Sequence, residues 1–303
     1  MTNLTITHEI DREVVVRDGD VELFRYVYIP DNPQLESPRP YFYPIRTRAG
    51  HDTGLYRPHD HVWHKGITWS LPVVNDENFW GGPTYVRDQG YVQLPNNGTQ
   101  GHRRFTELSQ TADRVVIEHE LDWTTESGQA YFSETRRITA QVTGETSWIL
   151  TFSTTLENVS GARIAIGSPT TKGRENAGYG GLFWRGLRSF TDGKLVTTDT
   201  IGSGNDVRGQ RHEWMAFEGK HDHIDASSLV LMLDDSQNPH HPPQWFARSE
   251  EFAALNPAPF FSEEVVIPAG ESATFRYGVG IADGVAADAS ALADTVRGVL
   301  SKG

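Results

Sequence analysis

The segment His59-Asp60-His61-Val62-Trp63-His64-Lys65 sets three imidazoles, a carboxylate and an ammonium within seven residues. Imidazole titrates closest to working pH, and a neighbouring Asp60 or Lys65 moves it in either direction, so the segment reads as a general acid/base centre. His64 is the first candidate for the acid or base, His61 its partner or a substrate ligand, and Asp60 the group that tunes both. The same imidazoles could instead hold a metal ion. In an extended chain His59 and His61 project to one face and His64 to the other, so a third ligand needs a bend or a distant histidine such as His240 or His241. The pattern has neither a His-Glu-x-x-His pair nor the Glu that follows His-x-His in cupin-type sites. The expectation is therefore catalysis without a cofactor or metal, with His59, His61 and His241 as the metal-ligating alternative. The 303 residues include 12 His and no Cys, which removes thiolate ligands, cysteine nucleophiles and disulfides and leaves imidazole and carboxyl chemistry.

Two further segments supply candidates for a pocket. In residues 234–248, His240 and His241 lie between prolines and are followed by Trp245, Phe246 and Arg248. Such a rim offers what a sugar needs, aromatic surface for its C–H face and fixed polar groups for its hydroxyls; the alternative is a Pro-rich crossover with incidental histidines. In residues 172–186 the glycines invite a nucleotide-binding reading, but no strand–loop–helix context surrounds them. Arg174, Glu175, Trp184 and Arg185 remain as pocket candidates, and Arg46 joins Arg185 as a group that would hold substrate oxygens. Trp80, like Trp63, sits among polar loop residues and could stack on a ligand, whereas Trp69, inside the apolar run ITWSLPVV, belongs to a core. Glu134 and Arg136, two apart on one strand face, read as a buried ion pair before a catalytic pair.

The elements that must position these residues are strands. EVVVRDGDVELFRYVYI at 13–29 reads as a hairpin about Asp18-Gly19, and RVVIEHELDW at 114–123 alternates with period two. Segments 131–142, 147–159, 227–235, 263–270 and 273–284 follow the same habit, with Gly and Pro between them. Only residues 285–300 show helical spacing, with Ala289, Leu292, Val296 and Leu300 on one face. The expectation is one all-β domain over 1–303, an antiparallel β-sandwich with a short C-terminal helix at about 286–300. Charge bounds the partners: 27 basic against 40 acidic residues gives −13. An acidic surface repels phosphate backbones and anionic lipid, so neither nucleic acid nor membrane is an expected partner. No apolar window approaches the ~18 residues of a membrane span, and the opening MTNLTITHEIDR lacks the basic and apolar regions of a secretory signal, so a cytoplasmic location is expected.

RPYFYPIRTRAG, RPHDHVWHKGITW, NFWGG, GYGGLFWRG, NPHHPPQWFAR and a later NPA stand in the order and spacing of the DUF6807 family, which the chain resembles from about residue 20 to 282. An old label of methane oxygenase on that family would imply a membrane-embedded copper enzyme, which this composition contradicts. The resemblance implies a carbohydrate context, and the closing VVIPAGESATFRYGVGIADG is similar to the last strands of galactose-mutarotase-like supersandwich proteins, where aldose epimerases use a His acid and a carboxylate base. The family's His-rich loop is kept at His61 and His64, while Trp63 replaces a histidine common there, which disfavours a three-histidine metal site more than an acid/base pair. The resulting expectation is an enzyme acting on a small-molecule carbohydrate, a sugar or oxidised sugar, by epimerisation, β-elimination or glycoside hydrolysis. The alternatives are a non-catalytic carbohydrate-binding protein and a metal-dependent hydrolase. The acidic balance favours a neutral substrate unless Arg46, Arg174 and Arg185 reverse the field locally. The sequence specifies no oligomeric state.

Overall fold

The computed structural model describes residues 3–302. Its strands form two large antiparallel sheets. One runs, from edge to edge, through Leu4–Glu9, Glu13–Asp18, Val21–Val27, Tyr41–Ile45, Ile67–Val74, Ile164–Gly167 and Val265–Ile267, with Glu77–Phe79, Gly181–Arg185 and Ala254–Leu255 joined to its middle. The other runs through Ile201–Gly202, Lys194–Val196, Trp214–Lys220, Ser227–Asp234, Ser272–Asp283, Ser147–Asn158, Ala130–Val142, Arg114–Thr124 and Thr99–Gln110. The hairpin of Glu13–Asp18 and Val21–Val27 turns at Gly19-Asp20, one residue beyond the expected Asp18-Gly19, and Gly19 supplies the positive φ of a tight turn.

Period-two alternation turns one side of each sheet inward. Trp69 of the first sheet lies 5.2 Å from Phe275 and 6.1 Å from Phe152 of the second, and Phe24 stacks on Trp148 at 5.4 Å. His119, alternating with Ile117 and Leu121, is carried into this core, where it bonds to Tyr26 Oη at 2.8 Å. Glu134 and Arg136 meet there too, Nε to Oε1 at 2.7 Å. Trp123 and Thr154 also donate to Glu134, at 2.6 and 2.7 Å, so these charges are core structure and not part of a pocket.

The strand that positions the site is Ile67–Val74, buried at every residue. It pairs with Tyr41–Ile45, Ile164–Gly167, Gly181–Arg185 and Glu77–Phe79. Gly181–Arg185 in turn pairs with Ala254–Leu255. The loops at 57–66, 75–82, 172–180 and 246–253 therefore leave adjacent strands and meet on one side of the sheet.

The C-terminal helix, Ala289–Leu300, lies on the outer face of the second sheet and buries Ala289, Leu292, Ala293, Val296 and Leu300 against Ile149, Trp214, Leu229 and Leu231. It begins three residues later than the sequence pattern suggests, because Ala286–Asp288 form a tighter turn first. The helix approaches so closely because Gly278 and Gly280 lie beneath it: a Cβ at Gly278 would meet Val296 Cγ1 at 2.3 Å. Gly278→Val is expected to displace the helix and cost about 1–3 kcal/mol, the usual penalty of overpacking. An unchanged denaturant midpoint would contradict the close packing described here.

Candidate active site

Residues 57–66 form a loop closed by backbone bonds to strand Gly181–Arg185. Leu55 N donates to Arg185 O at 3.0 Å, Gly66 N to Leu55 O at 2.9 Å, and Arg185 N to Gly66 O at 2.8 Å. Gly66 permits the closure, with φ +56° and a hypothetical Cβ only 2.1 Å from Phe42 O. Inside the loop two turns follow each other, His61 N to Pro58 O at 3.0 Å and His64 N to His61 O at 2.9 Å. They supply the bend an extended chain lacks, and the His61 and His64 rings stack at 4.7 Å with 8° between planes.

A carboxylate buried below clamps this loop. Glu36 accepts from Lys65 Nζ at 2.8 Å and from Arg57 Nη2 at 2.6 Å, so both ends of the loop are tied to one group. Burial acts to raise the Glu36 carboxyl, but hydrogen bonds from Arg57 and Lys65 outweigh it and hold the group below the usual range. Burial and the Arg39 cation push Lys65 down to about 7. Arg39, itself buried, donates to Glu36 O and Ser37 O at 2.8 Å and to Trp63 O at 2.7 Å, which fixes the middle of the loop.

The protonation pattern follows from the partners. Asp60 Oδ2 accepts from His61 Nδ1 at 2.8 Å and from Arg185 Nη2 at 2.8 Å, and Oδ1 accepts from Arg188 Nη2 at 2.9 Å. Burial acts to raise Asp60, but these three donors win and keep it ionised well below the usual carboxylate range. An ionised carboxylate only accepts, so His61 carries its proton on Nδ1 and leaves Nε2 as a base. Arg185 Nη1 donates to His64 Nδ1 at 3.1 Å. A guanidinium only donates, so neutral His64 carries its proton on Nε2. Burial, His61 and Arg185 hold His64 well below 6.5, and burial lowers His61 despite Asp60. Two stacked neutral imidazoles thus offer one acceptor and one donor.

Both rings line a cavity of about 610 Å³. Its walls are Trp63, Trp80, Tyr179, Phe246 and Phe252, and its charged groups are Asp60, Arg174, Arg188, Arg248 and Glu251. Trp63 lies flat on the backbone of Gly81 and Gly82, where a Cβ at Gly82 would come within 2.7 Å of its ring. Asn78 Oδ1 shapes that turn, accepting from Trp80 N at 2.9 Å and Gly81 N at 3.0 Å.

The structure brings Asp60, His61, Trp63, His64, Trp80, Arg174, Arg185 and Arg248 together and places Arg46, Glu175, Trp184, His240, His241 and Trp245 elsewhere. Arg46 pairs with Glu22 and Asp52, both at 2.9 Å, outside the cavity. Trp184 is a core residue, its Nε1 donating to Thr53 O at 3.0 Å. Trp245 is another, donating to His212 O at 2.8 Å. Each stands on a strand next to a residue that faces the site, Trp184 beside Phe183 and Arg185, and Trp245 beside Phe246, so alternation sends it to the opposite side. Glu175 is exposed beside Arg174 and does not line the cavity. His240 Nδ1 donates to Pro259 O at 2.7 Å, and His241 Nδ1 to Asp234 Oδ2 at 2.8 Å. The set His59, His61 and His241 is therefore not assembled: His59 Nδ1 accepts from Arg188 at 2.8 Å, and no cluster of three His, Asp or Glu suited to a metal occurs among the described residues. Sequence reasoning missed Arg188, Phe252 and Glu36. Arg188 could have been found as a second arginine three residues beyond Arg185. Phe252 and Glu36 carry no local signal.

The family of unknown function DUF6807 matches residues 13–297, a longer span than the motifs alone cover. No curated protein matches the chain in sequence. Among solved structures it is similar to an aldose epimerase homologue from C. elegans at 9% identity and a TM-score of 0.34, over 93% of this chain and 99% of that one. It is also similar to a galactose 1-epimerase from Lactobacillus acidophilus at 8% identity and a TM-score of 0.37, over 94% and 99% of the two chains.

Removing one member of the buried clamp leaves the others as unpaired buried charge. Glu36→Ala is expected to cost about 3–5 kcal/mol, and adding Lys65→Met to it should recover part of that loss. Denaturant unfolding of the single and double variants measures both; equal midpoints for wild type and Glu36→Ala would remove the clamp from the account.

Proposed function

The chain belongs to the DUF6807 family, and we propose that it is a carbohydrate-active enzyme that moves protons between His61, His64 and a sugar held in the aromatic cavity. The observation that carries this reading is the stacked pair with opposite proton placement, fixed by Asp60 on one ring and Arg185 on the other. His61 Nε2 takes a proton from a hydroxyl or an activated C–H, and Asp60 stabilises the imidazolium that forms. His64, kept neutral by burial and by Arg185, donates an Nε2–H hydrogen bond to the oxygen on which negative charge develops, as a neutral imidazole electrophile does. Returning the proton to another atom or face of the sugar gives isomerisation; losing a β-substituent first gives elimination. Trp63, Trp80 and Phe252 supply the apolar surface for the C–H face of the ring, and no step requires a redox cofactor.

A substrate screen read by NMR on the full chain is the first experiment. On a substrate so found, His61→Asn is expected to lower kcat about 10²–10⁴-fold, the usual contribution of a positioned base. Because the base must be neutral, the rate should rise with pH through a midpoint below 6.5, the direction in which burial moves His61. Asp60 opposes that shift, so Asp60→Asn should move the acid limb to still lower pH while reducing the plateau. Full turnover in both His61→Asn and His64→Ala would end the acid/base reading, and saturable sugar binding without turnover in the wild type would replace it with the binding-protein reading.

A further inference from the structure

The cavity's charge does not follow that of the chain. The whole sequence carries −13, yet the groups around the cavity are cationic: Arg174, Arg188 and Arg248 line it and Arg185 stands behind Asp60, against two carboxylates, Asp60 and Glu251. Asp60 is already occupied by His61, Arg185 and Arg188. Glu251 is paired with Arg248 at a spacing of three residues, and its side chain is 65% exposed, so solvent screens that pair strongly. Arg174 has no carboxylate partner among the described residues; its guanidinium sits 4.7 Å above the Tyr91 ring and donates to the Tyr91 hydroxyl. Tyr91 is fixed in turn by Tyr179, whose hydroxyl is 2.8 Å away.

Arg248 and the histidines flank one aromatic ring. Phe252 lies 5.6 Å from His61, and Arg248 Cζ is likewise 5.6 Å from the Phe252 ring. Arg248 also stands 5.4 Å from Phe246. A single sugar resting on Phe252 therefore spans from the base to the guanidinium. Burial first, then the nearby Arg208 and Arg174, lowers Arg248 to about 10, while Glu250 acts the other way.

From this we infer that the sugar taken by this cavity carries an anionic group, a carboxylate or a phosphate, which seats on Arg174 and Arg248 while its reacting atom faces His61. A planar guanidinium pair recognises either oxyanion through charge-assisted, bidentate hydrogen bonds. The net charge favours a neutral substrate unless arginines reverse the field locally; Arg174, Arg188 and Arg248 line the cavity and can do so, with Arg185 behind Asp60, whereas Arg46 is paired outside it. The inference rests on the acid/base reading of the same cavity and sharpens it, since it limits the substrates to sugar acids and sugar phosphates.

The test is calorimetric titration of the full chain with D-glucuronate, D-galacturonate, D-gluconate, D-glucose 6-phosphate and the neutral parents D-glucose and D-galactose, alongside turnover of each. At least one anionic sugar is expected to bind about tenfold or more tightly than its neutral parent, the scale of one well-made charged contact. The preferred anion distinguishes carboxylate from phosphate. Arg174→Gln and Arg248→Gln should each abolish the preference for an anionic sugar over its neutral parent, and Arg174→Lys should restore part of it. Thermal midpoints report folding, and if Arg248→Gln does not fold, Arg174→Gln alone decides. Neutral parents binding as tightly as the acids, or a preference that survives Arg174→Gln, overturns the anionic seat. Neutral-sugar turnover that depends on His61 would do so while leaving the acid/base reading standing. Arginine-dependent binding of an acid without turnover supports the seat and removes the catalysis, and no binding by any sugar overturns both.

Discussion

The geometry of the cavity depends on one buried carboxylate. Glu36 is remote in sequence from the histidines, yet it holds Arg57 and Lys65, the residues just before and just after the turn pair that stacks His61 on His64. A loop with two consecutive turns has many alternatives of similar energy, and the cost of choosing one is conformational entropy. Binding both ends to a single desolvated group removes most of those alternatives at once. The arrangement carries excess positive charge, since Arg57, Lys65 and Arg39 surround one carboxylate. Arg39 is tolerated because backbone carbonyls of Glu36, Ser37 and Trp63 take its protons, and Lys65 registers the strain as a depressed affinity for its own. A buried pair of this kind is weak evidence for stability, and its evident use is to specify one loop conformation.

From that loop the chemistry passes to the sheet through Arg185. The residue belongs to a strand paired with the fully buried Ile67–Val74, so its guanidinium has little freedom to move. It donates in two directions, to Asp60 and to His64, and thereby decides which nitrogen of His64 keeps a proton while holding the carboxylate that decides the same for His61. A lysine at this position could not make the fork, having a single point charge in place of spaced donors. The Phe252 ring, 3.9 Å from the guanidinium carbon, covers its other side and keeps water from competing for it.

The fold was legible where periodicity is strong. Five strands of the second sheet, Arg114–Thr124, Ala130–Val142, Ser147–Asn158, Ser227–Asp234 and Ser272–Asp283, with the early hairpin and the helical face of Ala289, Leu292, Val296 and Leu300, follow from spacing alone, because each buries one face and alternation records which. The histidine segment was legible by composition, but its bend was not, since it depends on Gly66 and on Glu36, a contact across 29 residues. Errors among the aromatics share one cause. Residue type alone sends both Trp184 and Arg185 to the pocket, and likewise Trp245 and Arg248. Neighbouring strand residues face opposite sides, and a period-two reading of GLFWR would have kept Arg185 and released Trp184. Residue type alone makes Arg46 a pocket candidate, and only the register that sets it beside Glu22 and Asp52 shows otherwise. Phe252 had no signal because its role comes from the pairing of Ala254–Leu255 with Gly181–Arg185, which joins segments about seventy residues apart.

The arginines add to what burial does to the imidazoles. Arg185 and Arg248 both act against protonation of His61, and Arg185 and Arg39 do the same for His64, on top of the cost of burial. A site that gathered cations only to bind an anion would have to keep its base unprotonated by another means. One that lowered imidazole basicity by burial alone would leave the walls uncharged. Here the two requirements are met by the same groups, because a positive field inside a low-dielectric cavity disfavours an imidazolium and favours an oxyanion together. The acidic exterior is not in conflict with this. Its charges lie in high dielectric and are screened within about 8–10 Å at physiological ionic strength, whereas guanidinium contacts inside the cavity act at hydrogen-bond distance. Net charge therefore bounds the partners that approach from far away, and the residues within the cavity determine what is held there.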